Sequence, residues 1–252
     1  MKARLFSALA LLILLQVACS DSIDPSKFTT PFEQSDSLET TTYAEGIAWW
    51  RALEEASPYV CMREFGKTDA GLPLHVVIVN AARNFSKTQI GESGKTVLLI
   101  NNAIHPGEPD GVDASMIYVR DLVASTDFKK TYQDVVFLII PFYNVGGALN
   151  RNCCSRANQN GPLSYGFRGN ARNLDLNRDF TKADSKNAQS FLAFYNQWNP
   201  DVYLETHVSN GADYPYTLTY LLSHPKKLTP PLDDAIESLF SKPLETLMEA
   251  QG

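Results

Sequence analysis

The sequence lacks any run rich in lysine and arginine. Its 252 residues carry 22 basic and 28 acidic side chains, which gives a formal net charge of −6. Without a basic patch the chain has no electrostatic footprint for nucleic acid, and a nucleic-acid partner is excluded. It also lacks the change in composition that marks a linker between domains. With 44% hydrophobic residues, the chain can bury one large core, and we expect one folded domain behind an N-terminal leader.

Cysteine is scarce, and C-x-x-C pairs are absent. The four cysteines are Cys19, Cys61, Cys153 and Cys154. Zinc sites built from thiolates usually contain such pairs, so the cysteines do not indicate one. Adjacent cysteines rarely bridge each other comfortably. A bridge from Cys61 to Cys153 or to Cys154 stays open, and the cysteines are interpreted as structural.

Long apolar runs are also missing, apart from Leu5–Leu15, which follows two basic residues. This run is too short to span the roughly 30 Å of hydrocarbon in a membrane, and small residues follow it, so residues 1–19 are typical of a signal peptide. Cys19 resembles the lipidated cysteine of the bacterial lipobox. We predict an exported protein, either anchored to the membrane through Cys19 at the periplasm or cell surface, or secreted.

Residues 20–42 are polar and contain two prolines and three consecutive threonines. This composition suits a flexible tether between an anchor and a folded body. From Tyr43 the pattern changes, because apolar residues recur at helical spacing until Pro58 ends the helix. The remaining chain, 43–252, is predicted to be the folded domain.

Two apolar runs predict strands that are buried on both faces. The first is Thr96–Asn101, and the second lies within Asp134–Asn144. A stripe of apolar residues at helical spacing lies between them and begins at Val112. Upstream, two glycines and an aspartate separate the runs Val60–Phe65 and Leu74–Val79, which indicates a hairpin. This order of strands and helices favours an α/β fold with a sheet covered by helices.

The second half of the chain contains a long irregular segment and a late strand. Gly146–Arg172 is rich in glycine, asparagine and arginine and has almost no periodicity, so we interpret it as a functional loop. Asn187–Trp198 has aromatic residues at helical spacing, and Asp201–His207 alternates like a strand. His207 therefore falls at the carboxyl end of a predicted strand, where α/β proteins build their sites.

The functional interpretation depends first on A-I-H-P-G-E-P-D-G, residues 103–111. His105 and Glu108 stand three apart, directly after the predicted strand Thr96–Asn101. Taken alone this pattern is weak, because H-x-x-E occurs by chance in solvated loops. With His207 it gives two imidazoles and a carboxylate, the ligand set of a catalytic zinc that keeps one position open for water.

A second element, N-A-R-N-L-D-L-N-R-D-F, spans Asn170–Phe180. Leu174 and Leu176 are expected to anchor it. Arg178 offers a bidentate fork for a carboxylate, and the amide of Asn177 can bind the other oxygen. An ion pair between Arg178 and a neighbouring aspartate is an equal alternative on chemistry alone.

Three motifs, H-P-G-E, D-L-N-R-D-F and E-T-H, resemble in order and spacing those of the zinc metallocarboxypeptidases, the M14-type peptidases. The resemblance extends over roughly Tyr43–Tyr220. It implies an α/β fold in which a mixed, largely eight-stranded sheet is sandwiched between helices. It also implies an enzyme that hydrolyses C-terminal peptide bonds.

The resemblance assigns roles to individual residues. His105, Glu108 and His207 correspond to the ligands of one Zn²⁺ per chain. Asn177 and Arg178 match the pair that holds the terminal carboxylate of a peptide substrate. A peptide with a free C-terminal carboxylate is therefore the expected partner.

The family also places an arginine upstream of that pair, where it polarises the scissile carbonyl. We choose Arg156 for this role over Arg151 and Arg168. In the implied reaction zinc lowers the pKa of its bound water to about 7, the arginine stabilises the oxyanion, and a carboxylate acts as general base.

One catalytic group of the family has no counterpart in this sequence. The general-base glutamate of the family lies on a late strand, whereas the chain after Tyr220 shows a proline-rich turn and one helical pattern. The glutamates of that pattern, Glu237, Glu245 and Glu249, are interpreted as a solvated helix face. We therefore expect a family domain that is C-terminally incomplete, lacks its last strands and is poorly stable.

Two other functions stay open. The aspartoacylase-like hydrolases use the same H-x-x-E and D-L-N-R elements, which makes an N-acyl amino acid deacylase the first alternative. The missing general base favours the second, a surface protein that binds zinc and peptides without hydrolysing them. The sequence leaves the oligomeric state undetermined.

Overall fold

The structure is a computed structural model that describes residues 22–209, 211–212, 214–216, 218–224 and 227–251. The predicted signal peptide, with Cys19, lies outside the described residues. By its internal contacts the chain divides into two compact units, Met1–Asn210 and Gly211–Gly252. Within the described parts, no helix is long and apolar enough to cross a membrane.

One mixed sheet lies at the centre of the first unit. Its strands are β1 (Val60–Lys67), β2 (Pro73–Asn80), β3 (Thr96–Asn101), β4 (Val135–Ile140) and β5 (Val202–Glu205). They lie in the order β1-β2-β4-β3-β5. β2 runs antiparallel to both β1 and β4, whereas β3 runs parallel to both β4 and β5.

Helices flank this sheet. Those of the first unit are α1 (Pro31–Gln34), α2 (Tyr43–Ala56), α3 (Lys87–Glu92), α4 (Asp110–Ala124), α5 (Phe128–Thr131), α6 (Val145–Leu149) and α7 (Lys186–Trp198). The described part of this unit also contains two short 3₁₀ turns, Pro25–Phe28 and Leu176–Arg178.

The core forms where the sequence predicted strands buried on both faces. β3 and β4 pair in parallel, and Leu99, Leu138 and Ile139 are fully buried between the flanking layers. The predicted apolar stripe of α4 is buried along its whole length at Val112, Met116, Val119 and Val123. The hairpin prediction is likewise confirmed by the antiparallel pair β1 and β2.

The predicted fold class, a mixed sheet between helices, is confirmed. Among the described residues the sheet has five strands, whereas the resemblance predicted largely eight. β5 is an outer strand of this sheet, and Leu204 on it is 48% exposed.

The flexible tether predicted for residues 20–42 is wrong for the described part, residues 22–42. Thr40 and Thr41 are buried, and both hydroxyls donate to the carboxylate of Asp113 on α4. Upstream, the indole of Trp49 donates to the carbonyl of Phe28. The polar side chains of this segment, which suggested a solvated tether, instead cap turns and form hydrogen bonds with buried groups.

The cysteine expectation also differs from the structure. Cys153 and Cys154 form a disulfide with each other, and Cys61 is free. No bridge therefore joins Cys61 to the long loop. Sequence spacing alone disfavoured the vicinal pair because it does not show how a loop presents adjacent side chains.

The second unit, Gly211–Gly252, contains α8 (Pro230–Ile236), a π-helical segment (Glu237–Ser241) and α9 (Lys242–Gln251). The helical pattern predicted for this part of the chain is therefore present. Its glutamates Glu237, Glu245 and Glu249 are exposed, as expected of a solvated helix face.

Candidate metal centre

Two neighbouring strands end where the predicted site residues follow. β3 and β5 run parallel, and Asn101 pairs with Glu205 in their register. His105 follows Asn101 closely in the chain, and His207 follows Glu205. Because the carboxyl ends of parallel strands meet at one edge of a sheet, the two histidines leave the sheet side by side. Their ring centroids lie 5.0 Å apart.

A sharp turn and a close backbone approach bring the H-x-x-E segment to His207. Ala103 has a φ of 56°, in the left-handed region that residues other than glycine rarely adopt. Gly111, in the first turn of α4, lies against Thr206, and a Cβ at Gly111 would lie 2.1 Å from Thr206 Oγ1. Glycine therefore lets α4 begin directly beside the end of β5.

His105, Glu108 and His207 form one cluster, in which one ligand atom of each residue lies within 4.8 Å of the others. His105 Nδ1 is 3.2 Å from Glu108 Oε1, and His207 Nδ1 is 2.9 Å from Glu108 Oε2. The side chains of His105 and Glu108 are 2% and 3% exposed, whereas that of His207 is 34% exposed. The cluster is therefore buried on one side and open on the other.

The second ring nitrogen of each histidine contacts a carboxylate. His105 Nε2 is 3.1 Å from Asp175 Oδ1, and His207 Nε2 is 3.0 Å from Glu205 Oε2. An Nε2–H that donates to a carboxylate leaves the Nδ1 lone pair free for a cation. Both rings are thus oriented with Nδ1 toward Glu108.

The electrostatics of the cluster favour an anionic Glu108. Burial raises the pKa of its carboxyl, but hydrogen bonds with His105, with His207 and with the backbone N–H of Val208 outweigh burial and hold the pKa well below its ordinary value. Hydrogen bonds to Glu108 and Glu205 raise the pKa of His207 to about 9. In the metal-free chain, positive charge on His207 therefore balances the carboxylate.

The donor set fits zinc. Two imidazole nitrogens and one carboxylate oxygen match the borderline hardness of this ion. Ligands at Zn–N and Zn–O distances of about 2.0–2.2 Å on a tetrahedron lie about 3.3 Å apart. The distances of 3.2 Å and 2.9 Å join the two histidines to different oxygens of Glu108, and one ligand atom of each of the three residues lies within 4.8 Å of the others.

Arg156, the arginine chosen from the sequence, lies at the cluster. Its Nη1 is 2.9 Å from Glu108 Oε1, and its side chain is only 13% exposed. Its Nε donates to Gln159 Oε1 at 2.7 Å. Arg151, one of the alternatives, donates instead to the carbonyl oxygens of Thr40 and Ser164. The role predicted for Arg156 stays a prediction.

Arg168, the other alternative to Arg156, also reaches the cluster. Its Nη1 is 3.3 Å from His105 Nδ1 and 3.8 Å from Glu108 Oε1. Asp175 binds the guanidinium through Nε and Nη2, each at 3.0 Å. The side chain of Arg168 is 37% exposed, so its guanidinium borders the open side of the cluster.

Asn177 and Arg178 lie on the 3₁₀ turn that follows Asp175. The buried side chain of Leu176 anchors this turn, as predicted. Arg178 is exposed, and its Nη1 donates to the carbonyl of Asn177 at 2.9 Å. Within the described structure, neither Asn177 nor Arg178 hydrogen-bonds to the three cluster residues.

Two residues at the cluster were missed from the sequence, Asp175 and Glu205, and a third, Arg168, was ranked below Arg156. Asp175 and Glu205 belong to the quoted motifs D-L-N-R and E-T-H, and each contacts the far nitrogen of one histidine. The motifs indicate these contacts only once the fold shows that the two strand ends lie side by side. Arg168 gave no local signal, because its loop has no periodicity.

A family model for zinc carboxypeptidases matches residues 46–231 of the chain. The chain belongs to the zinc carboxypeptidase family. The matched range contains the three cluster residues and the D-L-N-R motif. The family predicted from three motifs is thereby confirmed.

Solved structures share the fold of this family member. A metallo-carboxypeptidase from Burkholderia cenocepacia aligns with 19% identity and a TM-score of 0.54, over 69% of this chain and 43% of that one. Bovine thrombin-activatable fibrinolysis inhibitor, in complex with a tick carboxypeptidase inhibitor, aligns with 16% identity and a TM-score of 0.51, over 68% of this chain and 61% of that one. At such identities the likeness concerns the fold alone. No curated protein sequence matches the chain significantly.

Proposed function

We propose that this zinc carboxypeptidase family member is a zinc-dependent metallocarboxypeptidase that hydrolyses C-terminal peptide bonds. The observation that carries the proposal is the cluster of His105, Glu108 and His207, in which both Nδ1 atoms face one anionic carboxylate. The chain spans 43% of the bacterial carboxypeptidase structure described above. Because the chain covers less than half of that structure, its activity and its substrate are proposals.

Different residues of the chain would bind the metal and the substrate. His105, Glu108 and His207 would hold one Zn²⁺, which supplies an activated water and polarises a carbonyl. The open side of the cluster, next to His207, admits the substrate. We assign Asn177 and Arg178 to the terminal carboxylate, because an exposed guanidinium binds a carboxylate through two parallel hydrogen bonds.

An arginine at the cluster would stabilise the negative charge that develops on the carbonyl oxygen. Arg156 and Arg168 both lie within reach, and Arg168 is the more exposed. Replacing the group that performs this role lowers kcat by roughly 10²–10³-fold without lowering the zinc content. We expect R168A to show the larger fall in kcat. A fall only in R156A would restore the assignment predicted from the sequence.

Two measurements test the proposal on the full chain. Elemental analysis is expected to find one zinc per chain, and His207→Ala is expected to lose it while the circular dichroism of the fold is retained. His224→Ala, an exposed histidine of the second unit, is the matched control. Unchanged zinc in His207→Ala would refute the ligand set.

The substrate class is tested by paired peptides. Peptides with a free C-terminus are expected to be cleaved, and the same peptides with an amidated C-terminus to be resistant, because the carboxylate is the group recognised. Short N-acyl amino acids serve as the third substrate set. Turnover of these alone would replace the peptidase by a deacylase.

A second candidate function is a zinc site that binds peptides without hydrolysing them. It is supported by the carboxylates that contact the histidines, since Asp175 and Glu205 are both engaged with Nε2 atoms, on the ring nitrogens that do not face Glu108. Stoichiometric zinc and peptide binding without turnover would favour it. Measurable peptide hydrolysis that zinc restores after chelation would exclude it.

We also propose that the protein acts outside the cytoplasm, anchored through Cys19. The proposal is supported by the sequence of the leader, in which an apolar run precedes a small residue and a cysteine. Labelled fatty acid is expected to be incorporated into the wild-type chain and not into Cys19→Ala. If Cys19→Ala still incorporates the labelled fatty acid, the proposal of an anchor at Cys19 is refuted.

A further inference from the structure

We propose that Glu205 is a positioning residue that holds His207 in the orientation required for metal binding. The proposal rests on the proposed zinc site and adds a residue to it that binds neither metal nor substrate. It concerns the carboxylate at the last position of β5, two residues before the histidine.

The contact between the two side chains is direct. Glu205 Oε2 lies 3.0 Å from His207 Nε2, while His207 Nδ1 lies 2.9 Å from Glu108 Oε2. The lone pairs of Nδ1 and Nε2 point in different directions from the imidazole ring. Glu205 therefore contacts the nitrogen that does not face Glu108.

Glu205 is itself held by two donors. The hydroxyl of Tyr203 donates to Oε1 at 2.6 Å, and Nδ2 of Asn101 donates to the same oxygen at 3.2 Å. Asn101 Nδ2 also donates to Tyr203 Oη at 3.1 Å. One carboxylate oxygen is thus fixed by the sheet, and only the other is available to His207.

The backbone reinforces this arrangement. Asn101 is fully buried on β3 and pairs with Glu205 in the β3–β5 register. The side chain of Glu205 is only 18% exposed. Glu205 is therefore held in one orientation, with Oε2 placed to accept the Nε2 proton of His207.

A carboxylate in this position has two effects on a ligating imidazole. It keeps the proton on Nε2, which leaves Nδ1 as the donor atom, and it makes Nδ1 more basic. Partners of this kind typically change metal affinity by about 10- to 100-fold. The effect acts through His207 and needs no contact between Glu205 and the metal.

The test compares two conservative variants of the full chain. Glu205→Gln keeps the size and removes the charge, whereas Glu205→Asp keeps the charge and shortens the side chain. We expect E205Q to bind zinc about 10- to 100-fold more weakly in competition with a chelator, and E205D to retain more of the affinity. If Glu205 only filled space, E205Q would bind zinc more tightly than E205D, because glutamine keeps the size of the side chain.

A spectroscopic readout separates positioning from folding. The visible absorption spectrum of the cobalt-substituted chain reports ligand geometry, and we expect it to change in E205Q. Glu64→Gln is the matched control, because Glu64 Oε1 lies 3.8 Å from His75 Nε2, outside the cluster. E64Q is expected to leave zinc affinity and the cobalt spectrum unchanged.

Tyr203→Phe keeps the aromatic ring and removes the hydroxyl that holds Glu205. We expect Y203F to weaken zinc binding roughly 2- to 10-fold, the usual effect of one lost hydrogen bond. If E205Q fails to fold, Y203F tests the proposal in its place. Normal zinc affinity in Y203F would then overturn the proposal.

The outcomes separate this inference from the proposed function. If E205Q binds zinc as tightly as the wild type and has the same cobalt spectrum, the role of Glu205 is overturned, while wild-type zinc binding and peptide hydrolysis still stand. If the wild type binds no zinc, the proposed function fails and the inference fails with it.

Discussion

Gly111 is the residue at which α4 and the end of β5 come closest. A Cβ at this position would lie 2.4 Å from the Cβ of Thr206, the residue before His207. We expect Gly111→Ala to lower the free energy of unfolding by about 1–3 kcal/mol, because the overlap forces the strand end or the helix to move. Since Thr206 precedes a cluster residue, zinc affinity should fall as well. Chemical denaturation and zinc competition measure the two effects.

Gly91 on α3 is the matched control, because no heavy atom lies within 4 Å of a Cβ built there. Gly91→Ala is expected to be neutral or to stabilise the protein by up to about 1 kcal/mol, since alanine restricts the unfolded chain more than glycine does. Equal stability of G111A and G91A would contradict the close approach.

Among the residues of the site, those that belong to a recognisable motif were assigned correctly to the cluster. His105 and Glu108 share one segment, and together with His207 they suggested a cation site. Arg168 precedes Asp175 in an irregular loop, yet it contacts both His105 and Glu108. Such contacts depend on how the loop returns to the sheet, which no periodicity encodes.

At the level of elements, the segment before α2 is attached to α4 through an ion pair. Glu33 on α1 binds Arg120 on α4, with Nη1 at 2.8 Å and 2.7 Å from its two oxygens. Burial raises the pKa of Glu33, but hydrogen bonds from Arg120 and Thr30 outweigh burial and leave it below the ordinary value of 4.5. The pair therefore favours the ionised, folded state.

The pH dependence follows from the direction of this shift. A carboxyl whose pKa is lowered on folding stabilises the protein above its unfolded pKa, and the stabilisation is lost as the pH falls through the folded pKa. We expect Glu33→Gln to cost about 1–2 kcal/mol at pH 7 and the difference from wild type to shrink below about pH 4.5. Urea denaturation across this range measures it.

Glu55→Gln is the control for this experiment, because Glu55 is an exposed glutamate on α2. Its free energy of unfolding should stay within about 0.5 kcal/mol of the wild type at every pH. A difference between E33Q and wild type that stays constant down to pH 3 would show that the loss is not electrostatic.

For the whole molecule, the ligands of the proposed metal come from segments that lie far apart in the chain. His105 and Glu108 follow β3, and His207 follows β5, so a bound ion links the two strand ends. At a free zinc concentration of 100 times Kd the folded state gains about 2.7 kcal/mol. For a domain of this size the melting temperature should rise by about 5–10 °C.

Calorimetry with zinc and with a chelator measures this shift. His207→Ala should abolish it, and His224→Ala should leave it intact. A shift of the same size in His207→Ala would place the stabilising zinc outside the cluster.

The sequence by itself determined the family, the order of the strands and helices in the core, and the three cluster residues. The order of the elements depends on periodicity, and the family and the cluster residues depend on the resemblance of three short motifs. Only the tertiary structure decided that residues 22–42 pack onto α4, that Cys153 pairs with Cys154, and that Asp175, Glu205 and Arg168 surround the cluster. The physical reason is that these contacts depend on the folded backbone: residues 22–42 and α4, and Asp175 and His105, are distant in sequence, and the pairing of adjacent Cys153 and Cys154 depends on the conformation of their loop.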